Sequence, residues 1–109
     1  MIARVWRGYT KPEDADRYEA MVKPELLPGI GSAPGYIGSY LLRGQKGGEE
    51  VEFVTIIFWD SLDAIRTVAG EDYEAAVVPE ERRKYLSRWE KRATHLEIAS
   101  VHGWGVALN

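Results

Sequence analysis

Cysteine is absent from the 109 residues. Disulfides, thiolate metal sites and cysteine nucleophiles are therefore excluded, and a reducing cytosol is compatible with the chain. There is no basic surplus: 14 Lys and Arg stand against 17 Asp and Glu, for a net charge of −3. Proteins that hold nucleic acid usually carry such a surplus, so no nucleic-acid partner is expected. No apolar run approaches the ~20 residues of a membrane span, so no membrane partner is expected either. The first residues lack a charged segment followed by an apolar stretch. Ile2 to Trp6 is strand-like and broken by Arg4 and Arg7, so a cytoplasmic protein without a signal peptide is expected. Histidine is scarce. His95 and His102 have no paired carboxylates at ligand spacing, so no metal site is expected. Gly44 to Gly48 lacks the Lys-Ser/Thr of a phosphate loop and reads as a hairpin turn. No Ser-His-Asp grouping is visible in the spacing, and there are no repeats or low-complexity tracts.

Aromatic surface, by contrast, is plentiful, with four Trp and six Tyr. The length fits one domain, taken as residues 1–101 with a tail over 102–109. Met1 to Tyr9 alternates and predicts a first strand. Thr10 is placed to cap a helix, with Pro12 in its first turn and Glu13 at capping-box distance. Tyr18, Met21, Val22 and Leu26 then repeat at helical spacing over about four turns. Pro24 is expected to bend this helix, and Pro28-Gly29 and Gly31 to end it. Gly35 to Arg43 predicts a second strand and Val51 to Trp59 a third. Ser61 caps a second helix with Leu62, Ile65 and Val68 inward and Gly70 as its stop. A helical turn is expected over Glu71 to Val78, further helix from Glu80 to Trp89, and a last strand from Ala93 to Val101.

The order β-α-β-β-α-β is the ferredoxin-like α+β arrangement, a four-stranded antiparallel sheet with both helices on one face. The third strand is apolar on both faces, but two helices cover one. Parity gathers Arg4, Trp6, Tyr36, Tyr40, Phe53, Thr55, Ile57, Trp59, His95 and Glu97 on one face, taken as the open one. A patch of that size demands cover. Pairing through it about a two-fold axis, as a homodimer and dimeric α/β barrel, supplies that cover.

Several segments carry a family resemblance. They are Ala3-Arg4-Val5-Trp6-Arg7-Gly8, Leu27-Pro28-Gly29-Ile30, Pro34-Gly35-Tyr36 and Val51-Glu52-Phe53-Val54-Thr55, with Trp59-Asp60-Ser61-Leu62-Asp63, Ala69-Gly70-Glu71-Asp72-Tyr73 and Ala76-Val77-Val78-Pro79. Together, over roughly residues 1 to 99, the chain resembles the antibiotic biosynthesis monooxygenase-like group of the dimeric α/β-barrel superfamily. The resemblance implies the dimeric barrel. For chemistry it implies several outcomes: oxidation of polyketide aromatics with molecular oxygen and no cofactor, haem degradation, or no assigned activity. The haem-degrading branch combines an asparagine, a tryptophan and a histidine, and this chain has only Asn109, in the tail.

Cofactor-free oxygenation requires a proton acceptor and a dry pocket for an electron-rich anion. In a pocket between sheet and helices, His95 is the candidate base and Arg4 the candidate oxyanion partner. The plainer readings are a structural histidine and an ion pair of Arg4 with Glu97. Trp6, Trp59 and Tyr40 are either a wall for a flat small molecule or packed interface. The Tyr36 hydroxyl either donates to substrate or the residue simply packs. Thr55, inside an apolar run, needs a backbone or ligand partner, and Glu97 completes the substrate-binding set. The basic residues Arg82, Arg83, Lys84, Arg88, Lys91 and Arg92 alternate with Glu80, Glu81 and Glu90 and read as a solvated helix face. The leading expectation is a monooxygenase that uses no cofactor and acts on a small aromatic or polyketide-like compound. The alternatives are a small-molecule binding module without chemistry and a structural dimer.

Overall fold

The computed structural model describes residues 1–24, 32–44 and 48–103. The expectations for Leu26, Pro28-Gly29, Gly31, Asn109 and most of the Gly44–Gly48 turn and of the tail lie outside these residues. Among them, β1 (Ile2–Thr10), β2 (Tyr36–Arg43), β3 (Val51–Trp59), β4 (Leu86–Trp89) and β5 (Thr94–Glu97) form one antiparallel sheet. β1 lies beside β3 along its whole length, from Ile2 opposite Trp59 to Thr10 opposite Val51, and β2 flanks β3 on the far side. The free edge of β1 is shared by β4 and β5, so the fourth ferredoxin-like strand is split in two. Helices α1 (Ala15–Pro24), α2 (Leu62–Ala69) and the short α3 (Glu80–Arg83) complete the α+β fold.

Local signals explain most of this. Ser61 Oγ accepts from the Ala64 N–H at 3.2 Å and starts α2, and the Gly70 N–H closes its end on the Arg66 carbonyl at 2.8 Å. Tyr18 and Val22 are fully buried from α1, and Ile65 is nearly so from α2. Gly35 has φ +87°, and a Cβ there would stand 2.5 Å from that of Ala64. Only glycine allows this close approach of the β2 entry to α2.

Five sequence expectations need correction. Thr10 stays in β1, paired with Val51, and a 3-10 turn over Pro12–Asp14 precedes α1 without a side-chain cap. The helix expected from Glu80 to Trp89 ends at Arg83, because β5 reaches only Ile2–Val5 of the β1 edge. The backbone groups further along β1 take partners from Leu86–Trp89 instead. The basic cluster accordingly spans a helix turn and a strand, not one helix face, with Arg88 paired to Glu50 and Arg92 to Asp72 and Glu74. Residues 71–78 are not helical. The Ala75 N–H closes a turn on the Asp72 carbonyl, and the following strap is stitched to residues 91–93 by Ala76 N–H to Lys91 O and Ala93 N–H to Glu74 O. The last strand is correspondingly shorter, Thr94–Glu97.

The largest correction concerns which face is open. Parity groups Arg4, Trp6, Phe53, Thr55, Ile57, Trp59 and His95 correctly, but the helices cover this face: Trp6, Phe53, Thr55, Ile57 and Trp59 are all buried, and Phe53 packs on Tyr18 of α1. β3 is apolar on both sides, so alternation alone does not choose the covered one. The other face, which no helix among the described residues covers, carries Val5, Tyr40, Leu42, Val54, Ile56, Phe58 and Leu96, with Leu42 46% and Leu96 56% exposed. Tyr40 belongs there because β2 has a bulge: Tyr36 pairs with Trp59, but Gly38 pairs with Phe58. The extra residue, Ile37, inverts the alternation beyond it.

Candidate functional site

Between the sheet and α2 lies a pocket of about 230 Å³. Trp6, Ile57 and Trp59 form its floor, Ile65 and Val68 of α2 one wall, and Ala76, Val77 and Pro79 of the strap another. Its polar groups come from Arg4, Thr55 and Arg82. The pairing of β1 with β3 brings Arg4, Trp6 and Thr55 together, with Trp6 opposite Thr55 and Arg4 opposite Ile57. The strap reaches them because α2 stops at Gly70 and the chain turns back across the sheet. The Trp6 ring is fixed by its Nε1–H donating to the Glu90 carbonyl at 2.8 Å. It also depends on Gly8, where a Cβ would come within 2.9 Å of the ring. The Trp59 Nε1 is buried and has no hydrogen-bond partner among the described residues.

Arg4 is half-buried and anchors the strap. Its Nη1 donates to the Tyr73 carbonyl and to His95 Nε2 at 2.8 Å, and its Nη2 donates to the Ala75 carbonyl at 3.1 Å. A guanidinium has no acceptor, so His95 Nε2 accepts and the imidazole is the neutral form protonated on Nδ1. That Nδ1 is buried without a partner among the described residues. Burial first, and then the positive charge of Arg4, lower the His95 pKa from the ordinary 6.5, with Glu74 pulling weakly the other way. The ring also packs edge-on against Tyr73, with centroids 5.0 Å apart. Burial likewise lowers the pKa of Arg4.

Of the residues singled out from sequence, Arg4, Trp6, Thr55 and Trp59 meet around the pocket, and His95 touches it through Arg4. Tyr36 stands one shell out: its ring lies edge-on to Trp59, centroids 5.9 Å apart, and its hydroxyl pairs with Ser39 Oγ at 2.9 Å. Tyr40 is on the opposite face, edge-on to Phe58. Glu97 is exposed opposite Ile2 and forms no ion pair with Arg4 among the described residues. Sequence reasoning misses the strap. Its signal is the run Ala76-Val77-Val78-Pro79, apolar but closed by proline, which suits a wall without regular structure.

A small antiparallel sheet roofed by helices on one face defines a ferredoxin-like α+β fold. Residues 1–77 match the antibiotic biosynthesis monooxygenase family, and the chain belongs to it. Solved structures of similar fold include Rv0793 from Mycobacterium tuberculosis, with 18% identity, 94% of this chain and 98% of that one covered, and TM-score 0.64. SnoaB, a cofactor-independent oxygenase from Streptomyces nogalater, is 14% identical over 93% of this chain and 95% of its own, with TM-score 0.62. The heme-degrader MhuD from Mycobacterium tuberculosis, with two hemes bound in its active site, is 17% identical over 94% of this chain and 100% of its own, with TM-score 0.63. No curated protein matches the sequence. No helix among the described residues is long and apolar enough to cross a membrane.

Proposed function

We propose that this protein is a cofactor-independent monooxygenase that oxidises a small aromatic or polyketide-like compound, working as a homodimer. The carrying observation is an apolar pocket floored by Trp6, Ile57 and Trp59 and lined by two guanidinium side chains, Arg4 and Arg82, of which Arg4 lies beside His95. The chemistry needs an acidic carbon or hydroxyl whose anion reacts with oxygen. For an activated methylene, substrate and molecular oxygen give a ketone and water. Two C–H bonds break and one C=O forms; the substrate supplies the electrons, and the second oxygen atom leaves with both hydrogens as water. Arg4 would hold the developing oxyanion in a site from which Trp6 and Trp59 exclude water. His95, neutral at ordinary pH, would take the proton on Nε2 once Arg4 turns from it towards the substrate. Tyr36 would support the Trp59 ring, and Thr55 would meet the ligand edge. Membership of the family and likeness to an oxygenase fold support the reading by analogy.

Haem suits this pocket poorly. About 230 Å³ is small for a tetrapyrrole, being below the ~300–1,000 Å³ usual even for drug-sized ligands. His95 Nε2, moreover, is engaged by Arg4. The face without helices supports the homodimer, since pairing two such faces would remove their apolar side chains from water. An interface of standard size would bury about 800 Å² per partner.

Oxygen uptake by the purified protein with a panel of electron-rich phenols and activated methylene compounds tests the oxidation. Uptake is expected for at least one compound and should be lost in His95→Ala; a panel without turnover removes the oxygenase. One observation favours a second reading, a binding module without chemistry: His95 does not itself line the pocket and its Nε2 is already occupied. Ligand-induced thermal stabilisation without oxygen uptake would select it.

A further inference from the structure

Arg4 differs from five other arginines of the chain in what it lacks. Arg7, Arg43, Arg66, Arg88 and Arg92 each pair with a carboxylate at the surface. Arg4 is more buried and forms no ion pair among the described residues; its partners are two carbonyls and a neutral imidazole. Those acceptors satisfy hydrogen bonds but leave the charge uncompensated, and a buried charge is costly unless it is paired. Three of the five guanidinium N–H groups are used, two on Nη1 and one on Nη2. The Nε–H and the second Nη2–H have no partner among the described residues. The same residue lines, together with Arg82, a mainly apolar cavity of about 230 Å³. A cavity of ~150 Å³ already takes benzene, so this one has room for one or two fused rings.

We propose that the pocket is a receptor for a compact aromatic anion, a ring system of one or two rings whose carboxylate or ionised hydroxyl is the missing counter-ion of Arg4. This deepens the oxygenase reading by naming its ligand class, and it rests on the same pocket. It concerns the resting ligand, so binding requires no oxygen. The rings lie on Trp6 and Trp59, and the oxyanion takes the two uncommitted N–H groups. A neutral isostere gains the same ring contacts but leaves the guanidinium uncompensated.

The test is anaerobic calorimetry with 2-naphthoate and 2-naphthamide, beside a visible-light titration with 4-nitrophenol, whose anion is coloured. The acid should bind at least about tenfold tighter than the amide, the scale of a charge-assisted hydrogen bond. Binding should raise the coloured fraction of nitrophenol at fixed pH. A response to one probe alone identifies the anion as carboxylate or phenolate. Arg4→Met should abolish both preferences, and Arg4→Lys, which keeps the charge but not the planar fork, should weaken them. If Arg4→Met does not fold, the acid-to-amide ratio and the nitrophenol colour in the unaltered protein still decide. Equal binding of acid and amide without a colour change, no binding of any probe, or a preference that survives Arg4→Met overturns the proposal. Anion binding without oxygen uptake leaves the receptor standing and removes the oxygenase; uptake with a neutral substrate and no anion preference does the reverse.

Discussion

The two faces of the sheet are made from the same strands and differ in what surrounds them. On the helix-covered face, apolar side chains surround polar ones: Trp6, Ile57 and Trp59 lie beside Arg4 and Thr55, with His95 behind. On the other, Val5, Val54, Ile56, Phe58 and Leu96 form a largely apolar surface that no helix among the described residues covers, bordered by the Arg7–Glu52 pair and by residues 98–103. Apolarity thus marks both faces as surfaces to be covered, and the polar inclusions tell them apart. Convergent polar groups in an apolar hollow suit a ligand, whereas a broad and largely apolar sheet face suits another copy of itself.

The comparison is broken most sharply by truncating one residue on each face. Trp59 is 1% exposed, so Trp59→Ala should cost about 3–5 kcal/mol, the range for emptying a tryptophan site in a core. Leu42, 46% exposed in the single chain, answers differently. Leu42→Lys should leave the urea-unfolding midpoint of an isolated chain nearly unchanged yet convert a dimer to a monomer in sedimentation. If Leu42→Lys remains a dimer, the uncovered face is not the interface.

A smaller effect is expected at Gly8, where the pocket face meets β4. A Cβ there would lie 2.9 Å from Leu86 Cδ2 and from Trp6 Cη2. Gly8→Ala should therefore cost about 1–3 kcal/mol, as overpacking does. It should also tilt the Trp6 indole, read as a shift in near-ultraviolet circular dichroism. An unchanged spectrum and stability would mean that the ring is not confined as described.

Much of this is legible in the sequence, and what is not has definite causes. The element order as far as α2, the cap at Ser61, the stop at Gly70 and the co-facial grouping of Arg4, Trp6, Thr55 and Trp59 follow from periodicity and end signals. The covered face is not readable, because Phe53, Thr55, Ile57 and Trp59 alternate with Val54, Ile56 and Phe58, so neither side of β3 is distinctively inner. Parity misplaces Tyr40 because of a one-residue bulge at Ile37 that no local pattern announces. The strap and β4 look helical in local sequence, because their hydrogen bonds go to residues distant along the chain. The neutral surroundings of Arg4 depend on those same distant carbonyls, Tyr73 and Ala75, so its lack of a counter-ion is a tertiary fact.

The mildest probe uses the titrating group of the pocket face. Burial and the Arg4 charge make the His95 imidazolium less stable in the folded chain than in the unfolded one. Between its lowered pKa and the ordinary 6.5, the unfolded chain therefore binds more protons, and the equilibrium shifts towards unfolding as pH falls. Stability from this group is complete above 6.5 and declines below it. The carboxylates with lowered pKa values, Glu19, Glu50 and Asp72, contribute their own loss only as pH nears their ordinary 4.5 and 3.8. The interval between 4.5 and 6.5 thus isolates His95 among the groups with shifted values. Urea midpoints across that interval should slope downward towards acid in the native sequence and flatten in His95→Gln. Protonation also removes the Nε2 acceptor of Arg4 and sets a second cation beside it, so a bound anion, which compensates both charges, should flatten the slope. A profile identical in His95→Gln would mean that the imidazole is solvated and that Arg4 is held by the strap carbonyls alone.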